Sequence, residues 1–175
     1  MIFKILTNQD KILYKQAILE IMRTCDNDFI PPLSARNSTT QKSLIGGKST
    51  EEGLILYMTE MLSQVVLGAF ENNNLIGFVS FKENYVSDVI LDSDLPNIYL
   101  STLMLNKEAR GKRLTQRMYD YLFNTLYADR SIFTRTWSTN FAHLKILEKF
   151  DFKLIKTIKN DRGNGIDTVY FALKR

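Results

Sequence analysis

The chain has 175 residues, 45% hydrophobic and 24% charged, with 23 cations against 19 anions and a net charge of +4. That profile excludes a disordered chain and fits one domain with a single sizeable core; the charge suits an anionic ligand but is too mild to argue for nucleic acid. The lone Cys25 excludes an internal disulfide, no apolar run approaches the ~18 residues of a membrane span, and the polar start at Lys4, Asp10 and Lys11 is unlike a signal peptide, so a cytoplasmic location without membrane partner is expected.

Residues Ile2 to Leu6 predict a strand. From Gln9 to Cys25, residues Ile12, Leu13, Ala17, Ile18, Ile21 and Met22 recur at helical spacing and predict one helix. The stretch DNDFIPPLSARNSTTQKSLIGGKST, rich in Pro, Ser, Thr, Asn and Gly, predicts a long loop with at most a short helical turn. Ser49 or Thr50 with Glu52 marks a second helix reaching about Ser63. VVLGAFE, NNN and LIGFVSFKENY then read as a hairpin closed by an asparagine turn.

NIYLSTLMLN is a further strand. RLTQRMYDYLFNTLYA is a helix with Leu114, Met118, Leu122 and, more loosely, Tyr121 and Thr125 on one face. SIFTRTW is a strand, and Asn140 opens a helix in which Leu144, Leu147 and Phe150 repeat every three residues. The tail is a hairpin closed near Asn164 and Gly165. Strand, helix, strand, helix in the second half requires parallel pairing inside an otherwise antiparallel sheet. Without repeat or linker, residues 1–175 are expected to form one α/β domain.

In NKEARGKRLTQRM, Arg110, Lys112 and Arg113 crowd around Gly111 where a strand hands over to a helix. By composition alone, a short cationic run is a solvated surface. At a helix start, however, unpaired N–H groups and the dipole favour an anion, and Gly111 lets its backbone approach closely. In this position the run reads as a pyrophosphate site.

On these residues the chain resembles the GNAT superfamily of acyl-CoA-dependent N-acyltransferases, in LMLNKEARGKRLTQRMYDYLF followed after a strand by NFAHLKILEKFDFKLI. The likeness covers nearly the whole chain. Arg110 matches the first position of the family's Arg/Gln-x-x-Gly-x-Gly/Ala loop, and Arg113 and Thr115 occupy its small-residue positions. Asn140 and Phe152 match the opening Asn and closing Phe of the later motif. Leu147 stands where the family often has Tyr, and Asp151 where it has Gly.

The resemblance implies a mixed, mostly antiparallel central sheet flanked by helices, with parallel pairing at the strands beside the cofactor cleft. It implies acetyl-CoA as co-substrate and direct acetyl transfer, in a ternary complex, to a primary amine on a small molecule, peptide or protein. A catalytically reduced acyl-CoA-binding module is the alternative, because the Tyr and a strand carboxylate are both missing. Backbone groups of Leu103, Met104 and Leu105 are implied to pair with the pantetheine arm like an added strand. Arg110, Gly111, Lys112, Arg113, Leu114, Thr115 and Gln116 are implied to hold the pyrophosphate, with Asn140 beside them.

For catalysis, the Leu105 N–H is implied to polarise the thioester carbonyl. Ser101 stands with Thr102 where many relatives carry an acid. Arg113 and Thr115 carry a steric penalty if those positions need positive φ, and none if the loop runs straight into a right-handed helix. Asp26 and Asp28 are candidate bases by composition only; paired acids there are far more often solvated turn residues. His143 is a base or a packing residue. Cys25 reads as core, and no cluster has metal-ligand spacing. Tyr99 and Trp137 flank the expected cleft, the two prolines of FIPPLSARNS stiffen a loop expected to wall the acceptor pocket, and an edge hairpin offers itself to a homodimer.

Overall fold

In the computed structural model, which describes residues 1–42, 44 and 47–175, the chain opens with β1 (Ile2–Ile5), α1 (Asn8–Leu13), α2 (Lys15–Cys25) and α3 (Glu51–Leu62). A meander follows through β2 (Val65–Glu71), β3 (Asn74–Glu83) and β4 (Asn97–Leu105). Then come α4 (Leu114–Tyr121), β5 (Ser131–Trp137), α5 (Phe141–Lys149), β6 (Lys153–Ile158) and β7 (Thr168–Leu173). The strands form one sheet ordered β1-β2-β3-β4-β5-β7-β6, antiparallel except at β4–β5. This is the mixed, helix-flanked architecture that the strand and helix order predicts.

Alternation along the strands sends Val66, Phe70, Phe78 and Met104 to α2 and α3 on one face. Leu67, Val79, Phe81 and Leu100 pack with α4 on the other. Each such fully buried side chain contributes about 1.5–3 kcal/mol. Asn72 and Asn73, at φ 49° and 64°, close the β2–β3 hairpin, the left-handed pair that matches strand twist. Among the described residues no helix is long and apolar enough to cross a membrane.

Two features of β4 prepare a site. The β3–β4 register skips Ser101: Ser80 pairs with Thr102 and Phe81 with Leu100. Such an extra residue bends its strand. On the other side, pairing with β5 ends at Leu100–Thr134, although both strands continue.

The structure departs from the expected elements where packing overrules periodicity. The first helix breaks at Tyr14 (φ −95°, ψ 7°), whose ring packs on Phe70 at 5.0 Å. Only α2 then lies on the sheet, leaving Ile12 77% and Leu13 71% exposed. The loop after α2 holds two short helical turns, Asp26–Asp28 and Leu33–Ala35.

Helix α4 passes into a π-helical turn at Leu122–Leu126, which carries Thr125 out to solvent; Tyr119 and Phe123 are buried beside the expected stripe. The tail hairpin does not close tightly at Asn164 and Gly165. Its connection spans residues 159–167 and tucks Arg162 inward.

Asp151, which follows α5 at φ 60°, occupies the left-handed region, where a Cβ is disfavoured. Asp151→Gly should therefore raise stability by about 0.5–1 kcal/mol, read as a Tm increase of roughly 1–4 °C. A lower Tm would refute the account of this turn.

Candidate active site

Beyond Leu100 and Thr134 the parted strands open a cleft of about 580 Å³, walled by β4, β5, the start of α4 and the length of α5. On β4, the Asn106 N–H donates to Ile76 O of β3 at 2.9 Å. Alternation therefore turns the backbone groups of Leu105 and Leu103 away from β3 and toward the cleft, and those of Met104 toward β3. The Leu105 carbonyl confirms this direction: it accepts from Cys25 Sγ of α2 at 3.3 Å. Met104 instead buries its side chain against α2 and α3.

The loop entering α4 is shaped by two left-handed residues, Gly111 (φ 75°) and Arg113 (φ 57°, ψ 22°), the latter standing at the N-cap without a capping side chain. Of the two alternatives for the small-residue positions, Arg113 takes the strained one and Thr115 lies harmlessly in right-handed helix. Among the described residues, none of the six amides from Gly111 to Gln116 meets an acceptor; the next bond is Arg117 N–H to Arg113 O, at 3.1 Å. Consecutive bare amides at a helix start form a concave donor set for an anion.

The side chains of this loop diverge. Arg113, Leu114, Thr115 and Gln116 line the cleft with Gly111. Lys112 does not; it borders a neighbouring groove with Phe3 and Arg117. Arg110 reaches the cleft from below, where its guanidinium turns back to Asp28 Oδ2 at 2.7 Å and Cys25 Sγ at 3.1 Å.

Ser101 also lines the cleft. Its hydroxyl donates to Gln64 Oε1 at 2.5 Å and lies 2.8 Å from Ser80 Oγ. Gln64 in turn donates to Thr39 Oγ1, which donates to Glu60, so the bulge is pinned to the loop after α2 and to α3. The neighbouring Thr102 hydroxyl pairs with the buried Tyr57 hydroxyl at 2.8 Å.

The two acidic candidates part company. Asp26 is buried and accepts from the Ser34 N–H and hydroxyl, while Asp28 lines the cleft in its pairing with Arg110. Asn140 caps α5, its Oδ1 accepting from His143 N–H at 3.3 Å and its Nδ2 donating to Thr136 Oγ1 of β5 at 3.0 Å.

Three residues that periodicity passed over also line this cleft. Tyr119, one turn after Thr115 on α4, hydrogen-bonds His143 Nε2 at 2.8 Å. Burial pushes the His143 imidazole down from 6.5 to about 4, so it is neutral near pH 7, and pushes the Tyr119 phenol up. Leu147, where the resemblance puts a tyrosine, is fully buried. On the opposite wall stand Arg135, Phe29 and Trp137, the two rings 5.8 Å apart. The sequence signals were the cation inside SIFTRTW and the spacing of Thr115 and Tyr119.

A model of the acetyltransferase (GNAT) family matches residues 38–152. Comparison with curated protein sequences finds no match. Among solved structures, a ribosomal-protein-alanine N-acetyltransferase from Brucella melitensis aligns over 100% of both chains, with a TM-score of 0.67 and 13% identity. The protein yncA of Salmonella typhimurium, solved with its cofactor acetyl-CoA, aligns over 99% of this chain and 93% of its own, with a TM-score of 0.64 and 15% identity. An aminoglycoside 6'-acetyltransferase type Ii aligns over 99% and 97%, with a TM-score of 0.63 and 17% identity. At such identities these structures share the fold alone, and it is the family match across the parted strands and the open-amide loop that makes this chain a member of the GNAT acetyltransferase family.

Proposed function

We propose that the protein transfers an acetyl group from acetyl-CoA to a primary amine, directly, within a ternary complex. The observation that carries this reading is the row of six open amides from Gly111 to Gln116, with Arg113 beside it. A pyrophosphate suits that donor set, and the outward backbone groups of Leu103 and Leu105 suit a pantetheine arm lying along β4 as an added strand. Bound acetyl-CoA supplies the activated acyl group.

The chain's own groups then have definable tasks. The Leu105 N–H polarises the acyl carbonyl; one such donor is worth about 3 kcal/mol where it meets developing charge. The Ser101 oxygen, its proton directed to Gln64, presents a lone pair to the incoming amine. Direct transfer agrees with Cys25, whose thiol is 1% exposed and bonded to the Leu105 carbonyl, leaving no free nucleophile there. The Tyr119 hydroxyl, supported by neutral His143, is the proton donor for the departing thiolate in place of the absent Tyr at Leu147. No free carboxylate faces the amine among the described residues that line the cleft, because Asp28 is paired with Arg110. The amine therefore reacts after losing one proton to solvent; the second, shed by its nitrogen as the C–N bond forms and the C–S bond breaks, balances the proton that Tyr119 gives to the thiolate.

Calorimetry should show acetyl-CoA binding to the purified protein, and Arg113→Glu should weaken it roughly tenfold or more by setting an anion beside the diphosphate. An absence of heat with acetyl-CoA would remove the proposal; tight binding without CoA release over an amine panel would favour the non-catalytic module. The log of kcat/KM should climb with pH at unit slope up to the acceptor amine's own pKa and move with that pKa when the acceptor is changed. A fixed inflection shared by all acceptors would instead reveal an enzymic base. Tyr119→Phe should lower kcat roughly tenfold at pH 7, a deficit that fades above pH ~8.5, where a thiolate departs without a proton. A deficit of constant size at every pH would exclude the acid role.

A further inference from the structure

Behind the Phe29–Trp137 wall of the cleft, three guanidinium groups converge. Arg135 of β5 lines the cleft itself. Arg36, from the loop after α2, is 8% exposed, and Arg162, from the β6–β7 connection, is 7% exposed. Arg36 stacks on Phe29 at 5.5 Å, and Arg162 on Trp137 at 5.6 Å. Segments far apart in sequence thus deliver three cations and two aromatic faces to one end of the site.

Their hydrogen-bond acceptors are neutral. Arg36 donates to Pro31 O at 2.8 Å, and Arg162 donates to Ile30 O at 2.6 Å and Thr168 Oγ1 at 2.9 Å. Arg135 donates to Gln41 O at 2.8 Å and the Tyr170 hydroxyl at 3.3 Å. Among the described residues no carboxylate forms an ion pair with any of the three. Asp161 forms no ion pair with Arg162; it accepts from the Thr168 hydroxyl that Arg162 donates to, and its charge partly offsets the burial of Arg162. Buried charge is usually paired. Here the more exposed Arg23, Arg110 and Arg130 have carboxylate partners and the buried ones lack them.

Carbonyl dipoles satisfy N–H groups without cancelling charge. Burial and the charges of its two neighbours push Arg162 down to about 9, and burial with the charge of Arg135 pushes Arg36 down as well. Tethering the Ile30 and Pro31 carbonyls needs donors, not three cations; neutral amides would serve.

We propose that the acceptor amine also carries an anionic group, a carboxylate or a phosphate, which binds in the cleft at Arg135 with Arg36 and Arg162 supplying positive potential behind it. This rests on the acetyl-transfer function proposed above and narrows its substrate class. The planar guanidinium fork matches either anion. The same three charges repel polyamines and other polycations, so the site selects by rejection as well as attraction.

The test uses twin acceptors differing in the anion: phenylalanine against phenylalaninamide, and O-phosphoethanolamine against ethanolamine, with spermidine as a polycation. Binding is measured by calorimetry on the protein saturated with CoA, and turnover by CoA release from acetyl-CoA. In at least one pair the anionic member should bind and react roughly tenfold or more better than its neutral twin, and the pair that responds identifies carboxylate or phosphate. Spermidine should be the poorest ligand. Arg135→Gln should abolish the gap with the acetyl-CoA Kd unchanged, while Arg135→Lys, which keeps the charge and loses the fork, should retain part of it. Should the Gln variant not fold, the reduced gap in the Lys variant reports the same role.

Neutral twins binding as well as the anionic members, or no anionic member binding, would overturn the anionic acceptor while intact acetyl-CoA binding left acetyl transfer standing. Failure of the unaltered protein to bind acetyl-CoA would strike the broader function instead.

Discussion

Two neighbouring parallel strands stop pairing at Leu100 and Thr134, and the site exists because of that parting. The Thr134 hydroxyl closes the last rung on Leu100 O at 3.2 Å. Past it, β4 bends at the Ser101 bulge, and β5 is held at its end by Asn140, whose side chain bonds Thr136 and caps α5. Backbone groups on inward strand edges must find partners in water or ligand. The sheet therefore carries an unfilled strand position in its middle, where the proposed linear amide-bearing arm would complete the ladder.

Polarity around this opening is divided by task. Toward α4 the donors are bare backbone amides with a cation beside them, an arrangement that holds a phosphate at fixed distance. Toward β7 the donors are arginine side chains backed by Phe29 and Trp137. A net charge of only +4 on 175 residues says little of either, because the effective field comes from where cations lack partners, not from how many there are. Arg110 illustrates the difference: the first residue of the loop motif directs its charge to Asp28.

Much of the architecture was legible in the sequence. Strand, helix, strand, helix after Asn97 forced the parallel pair, and NKEARGKRLTQRM marked the loop where bare amides stand. What periodicity missed has long-range causes. The break at Tyr14 answers to Phe70, and a helical wheel running through Ile12 and Leu13 has no knowledge of that ring. Arg162 bonds a carbonyl 132 residues away, and Arg135 one 94 away, so their convergence is a property of the tertiary fold. The handedness of Arg113 was undecidable locally, since both backbone branches were open to the sequence.

That residue ties local strain to function. A left-handed non-glycine backbone costs of order 1–3 kcal/mol and persists only where the surroundings over-determine it. Glycine would remove the strain at Arg113, as it would at Asp151, but the two positions differ in what a side chain adds. Asp151 is an exposed carboxylate after a helix, in no ion pair among the described residues. Arg113 is also exposed, yet its side chain lines the cleft beside six amides without acceptors. A cation there strengthens the hold on a diphosphate, since charge-assisted contacts are roughly twice as strong as neutral ones. If the loop holds a diphosphate as proposed, the strain at Arg113 is offset in the complex and uncompensated in the free protein.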